Sequence, residues 1–294
     1  MTSPWHEGER ILQRSIGMEE ALADVGAKVV RDHMPEQHRA FFPLLAYVLL
    51  GAVDEEGDVW ATIRAGKPGF LSSPDPRRLD LAIRPEPSDP AEAGIRDGRA
   101  VGLLGIDLAT RRRNRLNGPV MGRNARGFSI AAGQSFGNCP KYITQRNQPE
   151  PAEESVAPPE RLDRLDAAAR RMIGTADTFF VASYAAGSTG QRQVDVSHRG
   201  GEPGFVRPGA DGTLTIPDYS GNRFFNTLGN LLANPHAGLL FIDFASGDLL
   251  QMTGEAEIEI SSREIAELPG AERLWRFLPR HIVRRTGGLP LRWR

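Results

Sequence analysis

The chain has 294 residues, a quarter of them charged, and a formal net charge of −1, so it offers no electrostatic footprint for nucleic acid or an anionic membrane, and any anion site must be local. The single cysteine, Cys139, excludes an internal disulfide, and the six scattered histidines without paired Cys/His spacing leave no metal site to expect. The charged N-terminus lacks the apolar run of a signal peptide, and Phe41–Val53 is too short and interrupted to span a bilayer, so a cytoplasmic protein is expected.

From Glu9 to Arg39 apolar residues recur at helical spacing, predicting one or two helices with breaks at Gly17 and Gly26, within an N-terminal helical segment 1–40. Phe42–Val53, a turn at Asp54–Gly57 and Val59–Arg64 then read as a hairpin. Gln148–Pro159 is rich in Pro, Glu and Ala and reads as a linker (148–160), and Glu160–Met172 has helical periodicity. The hairpin pattern returns at Thr178–Ala186, a turn at Gly187–Gly190, and Gln191–His198, whose alternation sets Val194 and Val196 against Asp195, Ser197 and Arg199. Arg223–Ala233 reads as a helix closed by Asn234-Pro235, and Ala271–Arg285 as a cationic helix with Leu274, Trp275, Leu278 and Ile282 as its stripe.

Two halves of the chain match. Lys67-Pro-Gly-Phe70 falls on Glu202-Pro-Gly-Phe205, Gly102–Asp107 falls on Gly238–Asp243, and nearly the same interval separates the motifs in each half. Such fixed spacing marks a duplicated unit. The expected architecture is mainly β with accessory helices, with a first unit over 41–147, a second over 161–262, and a C-terminal helix and tail over 263–294.

Two segments of the second half suit an anion. Ser197-His198-Arg199-Gly200-Gly201 combines a guanidinium fork, a hydroxyl and glycines that let backbone N–H groups approach, although a plain hairpin turn has the same composition. Tyr219-Ser-Gly-Asn222 precedes a helix whose first turns carry Asn222, Arg223, Asn226 and Thr227, where free N–H groups favour phosphate and ordinary capping is the competing reading. Arg111–Arg115 is the densest charge run and reads by default as a solvated loop, with docking of an anionic substrate or a reductase as the alternative. Cys139 reads as an inert small residue before it reads as a reactive thiol, and His198 reads equally as a structural strand histidine and as a proton donor.

Val194–Gly201, Tyr219–Asn230, Asn234-Pro235, Gly238–Phe241 and Gln251-x-x-Gly254 resemble the pyridoxamine 5′-phosphate oxidase-like FMN-binding split-barrel family. Pro4–Glu9 and Gln134–Ile143 are similar to a tandem-barrel branch of it, sometimes fused to a ferredoxin-reductase-like module. The resemblance implies two split β-barrels with FMN between them, one chain imitating the usual homodimer, as a monomeric pseudo-dimer or a homodimer. It implies Ser197, His198, Arg199, Tyr219, Asn222, Arg223, Asn226, Thr227 and Asn230 at the phosphate and ribityl chain, Gln251 reaching the flavin, Gln134 and Ser135 from the facing barrel, and Arg292 and Trp293 as weaker candidates.

The first half departs from the pattern. Thr62-Ile-Arg-Ala-Gly66 keeps an arginine but loses the histidine and one glycine, and Pro85, Pro87 and Pro90 interrupt the helix position, so one FMN site per chain is expected, with Arg64 a remnant. The function expected is a flavin-dependent oxidoreductase acting on a small-molecule substrate, its electrons drawn from NAD(P)H or a separate reductase because no reductase module is read in the chain. With no evident second phosphate site, pyridoxamine phosphate oxidation itself is not expected. A non-catalytic flavin carrier or sensor is the alternative, and a barrel that has lost its cofactor is disfavoured by the retained Ser197, Arg199 and Asn226.

Overall fold

A computed structural model of the chain describes residues 3–153, 157–187, 190–261 and 263–293. Three helices come first, α1 (Glu7–Ser15), α2 (Glu19–Val29) and α3 (Glu36–Arg39). Gly17 ends a helical stretch as expected, whereas Gly26 lies inside α2 because a side chain there would strike the Trp5 ring. No helix among the described residues is long and apolar enough to cross a membrane.

The first half forms an eight-stranded antiparallel sheet from β1 (Tyr47–Val53), β2 (Val59–Ala65), β3 (Leu71–Asp75), β4 (Arg78–Leu81), β5 (Ala100–Asp107), β6 (Arg112–Asn124), β7 (Gly127–Ala131) and β8 (Gln134–Gly137). Its strand order is β2-β1-β5-β6-β7-β4-β3, with β8 on β6. After β9 (Glu150–Pro151), β10 (Glu160–Leu162) and α4 (Ala167–Thr175), the second half supplies β11 (Thr178–Ala186), β12 (Arg192–Gly200), β13 (Arg207–Pro208), β14 (Leu214–Tyr219), α5 (Asn226–Ala233), β15 (His236–Ile242), β16 (Leu249–Glu259), β17 (Ala271–Arg285) and β18 (Leu291–Arg292). Its sheet runs β12-β11-β15-β16-β17-β14-β13, the same path as the first, while its eighth strand, β10, joins β17 where β8 joins β6, the counterpart of β16.

Three expectations are corrected. Ala271–Arg285 is a strand and not a helix: Trp275 and Phe277 alternate into the core between β14 and β16, Leu278 is left exposed, and Pro279, which would break a helix, sits at the register shift opposite Thr253/Gly254. The second sheet therefore runs on to Arg285, past the boundary expected at residue 262. Within the expected linker, β9 pairs with β18 and β10 with β17, so the segment ties the C-terminus down instead of only joining. The helix expected from Glu160 starts only at Ala167, capped by the Asp166 side chain, and Ser188 and Thr189 of the expected turn lie outside the described residues.

The sheets pack on each other reciprocally. A Cβ on Gly102 of β5 would fall 2.7–2.8 Å from the Asp195–Val196 backbone of β12, and one on Gly238 of β15 would strike the Val59–Trp60 backbone of β2. Only glycine permits both approaches. The core between the sheets takes Leu49, Ile63 and Leu104 from one half and Phe180, Val196 and Leu240 from the other. Strand registers fix the correspondence: Leu104 pairs with Arg115 as Leu240 pairs with Gln251, and Leu50 and Val48 pair with Thr62 and Arg64 as Val181 and Phe179 pair with Ser197 and Arg199.

Candidate functional site

The end of β12 brings Ser197, His198 and Arg199 to a cleft between the sheets, and the start of α5 brings Asn222, Arg223, Asn226 and Thr227 to the same cleft. Tyr219 closes it from β14. Arg223 and Phe225 both have left-handed backbones (φ 62°), which turns the chain sharply into α5, and no side chain caps that helix. Its first N–H groups are thus free to face a ligand.

The opposite wall comes from the first half. On β6 alternate residues share a face, so Arg113 and Arg115 both point into the cleft, and Arg115 Nη2 donates to Ser197 Oγ at 2.5 Å. This corrects the reading of Arg111–Arg115 as a solvated loop: the run enters a strand whose alternation turns two of its arginines into the cleft. The Gln134–Ile143 motif also reaches the cleft, through Asn138, Cys139, Lys141 and Tyr142, whose ring stacks on Tyr219 at 5.4 Å.

Six cationic side chains, Arg113, Arg115, Lys141, Arg199, Arg223 and Arg273, line the cleft against two carboxylates, Asp218 and Glu272. Arg273 is paired with both acids and Arg115 lies 3.1 Å from Asp195, but among the described residues no carboxylate lies within ion-pair distance of Arg113 or Arg199. Burial and then Arg115 and Arg199 lower Arg113 to about 10, and burial lowers Arg199 in the same direction, so each stays charged at a cost that an anion would relieve. Buried Arg113 Nε, Arg199 Nε, His198 Nε2 and Thr227 Oγ1 have no hydrogen-bond partner. His198 is held well below its ordinary value by burial, then by Arg113 and Arg199, and is therefore a neutral imidazole. The cleft is narrow, about 110 Å³, several times the 10–15 Å³ that one water needs.

Six expected site residues lie elsewhere. Gln251 is fully buried in the first half's counterpart of the cleft, its amide donating to Ala61 O (3.1 Å) and Asp89 Oδ1 (3.0 Å). Ser135 is sealed against His38 Nδ1 at 3.0 Å, and Gln134 accepts from Asn117 behind the cleft wall. Asn230, about one turn into α5, faces His6 and Ser183. Arg292 turns back to the carbonyls of Leu289 and Leu291, and Trp293 packs edge-on against Tyr47 and Phe244, well away from the cleft residues.

Residues 165–281, which carry most of this cleft, match the family model described as pyridoxamine 5′-phosphate oxidase. The second half is thus similar to that family, and the match leaves the first half outside it. No curated protein matches it. Among solved structures it is similar to Group A Streptococcus HupZ (14% identity, TM-score 0.32, 42% of this chain and 98% of that one) and to HutZ, the heme storage protein of Vibrio cholerae (15%, 0.29, 42% and 97%). A protein related to general stress protein 26 of the pyridoxinephosphate oxidase family, from Clostridium acetobutylicum, is similar at 13% identity and TM-score 0.29, over 41% of this chain and 87% of that one. Scores this low add nothing to the reading of the cleft.

The first half, outside the oxidase-family match, shows what the same register becomes with its own carboxylates. Arg64, at the position of Arg199, is ion-paired with Asp89, with Glu92 at 2.9 Å and with Glu86 at 3.3 Å. Asp89 also accepts from Thr62, at the position of Ser197, and lies 3.3 Å from Arg285. The segment bearing Pro87 and Pro90 has no α-helix; it makes a 3₁₀ turn at Pro90–Gly94 that Asp89 caps, delivering this carboxylate to the place a ligand's anion would take. In the second half the equivalent Arg199 is left without a carboxylate partner among the described residues.

Proposed function

We propose that the chain is an FMN-binding flavoprotein of two tandem split barrels, with one cofactor site between them, acting as a flavin-dependent oxidoreductase on a small molecule. The observation that carries this reading is the partnerless Arg113, Arg199, His198 and Thr227 atoms around an uncapped helix start, a donor set suited to a phosphate monoester. Arg113, Arg115 and Arg199 would neutralise the phosphate, with Ser197, Thr227 and the first N–H groups of α5 donating to its oxygens.

Bound flavin supplies hydride and electron transfer; the protein contributes orientation and electrostatics. His198, a neutral imidazole with a partnerless Nε2 at the cleft wall, can hold or give a proton at that atom. Tyr142 and Tyr219 stack at one side of the cleft. Electrons would come from NAD(P)H or a separate reductase.

The visible spectrum of the purified protein tests the reading. A flavin band released on denaturation, or acquired on adding FMN to apoprotein, supports it, and a colourless protein that binds no FMN rejects it. Turnover of the bound flavin by NADH or NADPH in air separates an enzyme from a flavin carrier or sensor.

A further inference from the structure

Behind the cleft lies a buried polar cluster that the flavin reading does not use. Helix α1 crosses α5 where Gly8 meets Gly229, so closely that a Cβ on Gly229 would fall 2.5–2.7 Å from Glu9 atoms. This crossing seats Glu9, buried, beside the start of α5, where Asn226 Nδ2 donates to its Oε1 at 2.6 Å and the His6 N–H to its Oε2 at 3.0 Å. The charged and titratable groups facing Glu9 among the described residues are His6, Asp195 of β12 and Arg115 of β6.

His6 offers Glu9 no cation. Its Nδ1 accepts from the Gly8 N–H, and its Nε2–H donates to Asn230 Oδ1, whose amide nitrogen is committed to Ser183, so the ring is fixed as the neutral tautomer. Burial lowers its basicity further. Arg115 is already shared between Asp195 and Ser197. Burial, and next Asp195, push the Glu9 carboxyl up to about 8.

We propose that Glu9 is a positioning residue that stores a proton for the cleft: as a carboxylic acid it accepts from Asn226 without adding charge behind Arg115, and its ionisation adds a second carboxylate there and weakens the grip on an anion. This rests on the reading of the cleft as an anion site. By linkage, anion binding then takes up a proton at Glu9.

The test titrates apoprotein between pH 7 and 9.5 with FMN, whose monoester's second ionisation, near 6, is then nearly complete, and separately with inorganic phosphate, its affinity referred to the dianion because its own second ionisation overlaps neutral pH. The thermal midpoint of the free protein is followed over the same range and down to pH 5. Wild-type affinity for either probe is expected to fall by up to about tenfold from pH 7 to 9, while Glu9→Gln holds its pH 7 affinity throughout. Since the folded Glu9 value lies above the ordinary 4.5, this group's contribution to wild-type stability is full below that value and drains away as pH rises from there to about 8. Glu9→Gln lacks that loss, and Asp195→Asn, in case the first variant fails to fold, moves both transitions to lower pH. Phosphate binding with this pH dependence but no FMN binding sustains the Glu9 role and rejects the flavin. A pH dependence that persists in Glu9→Gln, or no binding of either probe, overturns the proposal.

Discussion

Arg115 reaches across the sheet interface to Ser197 at 2.5 Å, and the register-equivalent residue on the other side of the molecule is Gln251. One exchange of residue type at matched positions accompanies the difference between an open cationic cleft and a pocket closed by Glu86, Asp89 and Glu92. Arg115→Gln therefore removes a charge from the open cleft and takes away the ion pair of Asp195, which keeps its Asn117 bond. FMN affinity should fall about tenfold or more, a charged hydrogen bond being worth about 1.5–3 kcal/mol, and the salt dependence of binding should flatten. Fluorescence titration at two salt concentrations reads both, and an unchanged salt slope would rule Arg115 out as an anion ligand.

The close approach of the sheets predicts a second effect. Gly102→Val places branched carbon against the Asp195 backbone, where no flexible side-chain end can give way. A loss of about 1–3 kcal/mol is expected from such overpacking, with weaker FMN binding because β12 carries Ser197 and Arg199. Denaturant unfolding measures the first and titration the second. A variant as stable as wild type would mean that the sheets do not meet at this glycine.

Acid stability should reflect His38. Burial, then Arg112 and Arg31, hold its imidazole down to about 4, so the unfolded chain takes up this proton first as pH falls. Stability is whole above about 6.5 and declines between there and about 4, by at most about 1.4 kcal/mol per pH unit for each such group. His198 acts in the same sense. His38→Asn, which keeps a polar group near Ser135, should make the acid limb of the thermal midpoint shallower, and an unaltered limb would place the loss elsewhere.

Much of the site was legible because strand alternation and helix starts are local. Ser197, Arg199, Asn222 and Thr227 meet in one cleft as their motifs implied, and the match of Thr62 and Arg64 with Ser197 and Arg199 is reproduced by the strand registers. Arg113 and Arg115 carried a signal too, since their two-residue spacing puts both on one face of a strand, but a run of arginines was weighed as a solvated loop. Gln251 was misplaced for a different reason: a duplicated unit has two equivalent interfaces, and local pattern does not say which one a strand residue meets. Ala271–Arg285 has apolar spacing that fits a helix as well as a strand, and only pairing to β14 and β16 decides it. Glu9 meets Asn226 across 217 positions of chain, a contact no local motif announces.

The central claim is one open anion site beside one closed by the protein's own carboxylates, and FMN titration of Arg199→Ala and Arg64→Ala tests it most directly. Arg199→Ala should stay folded and bind FMN tenfold to a hundredfold more weakly, a loss of about 1.5–3 kcal/mol. Arg64→Ala breaks a buried cluster and should cost about 3–5 kcal/mol of stability while the folded protein binds FMN as wild type does. Equal losses of FMN affinity in the two variants, or none in either, would contradict the account.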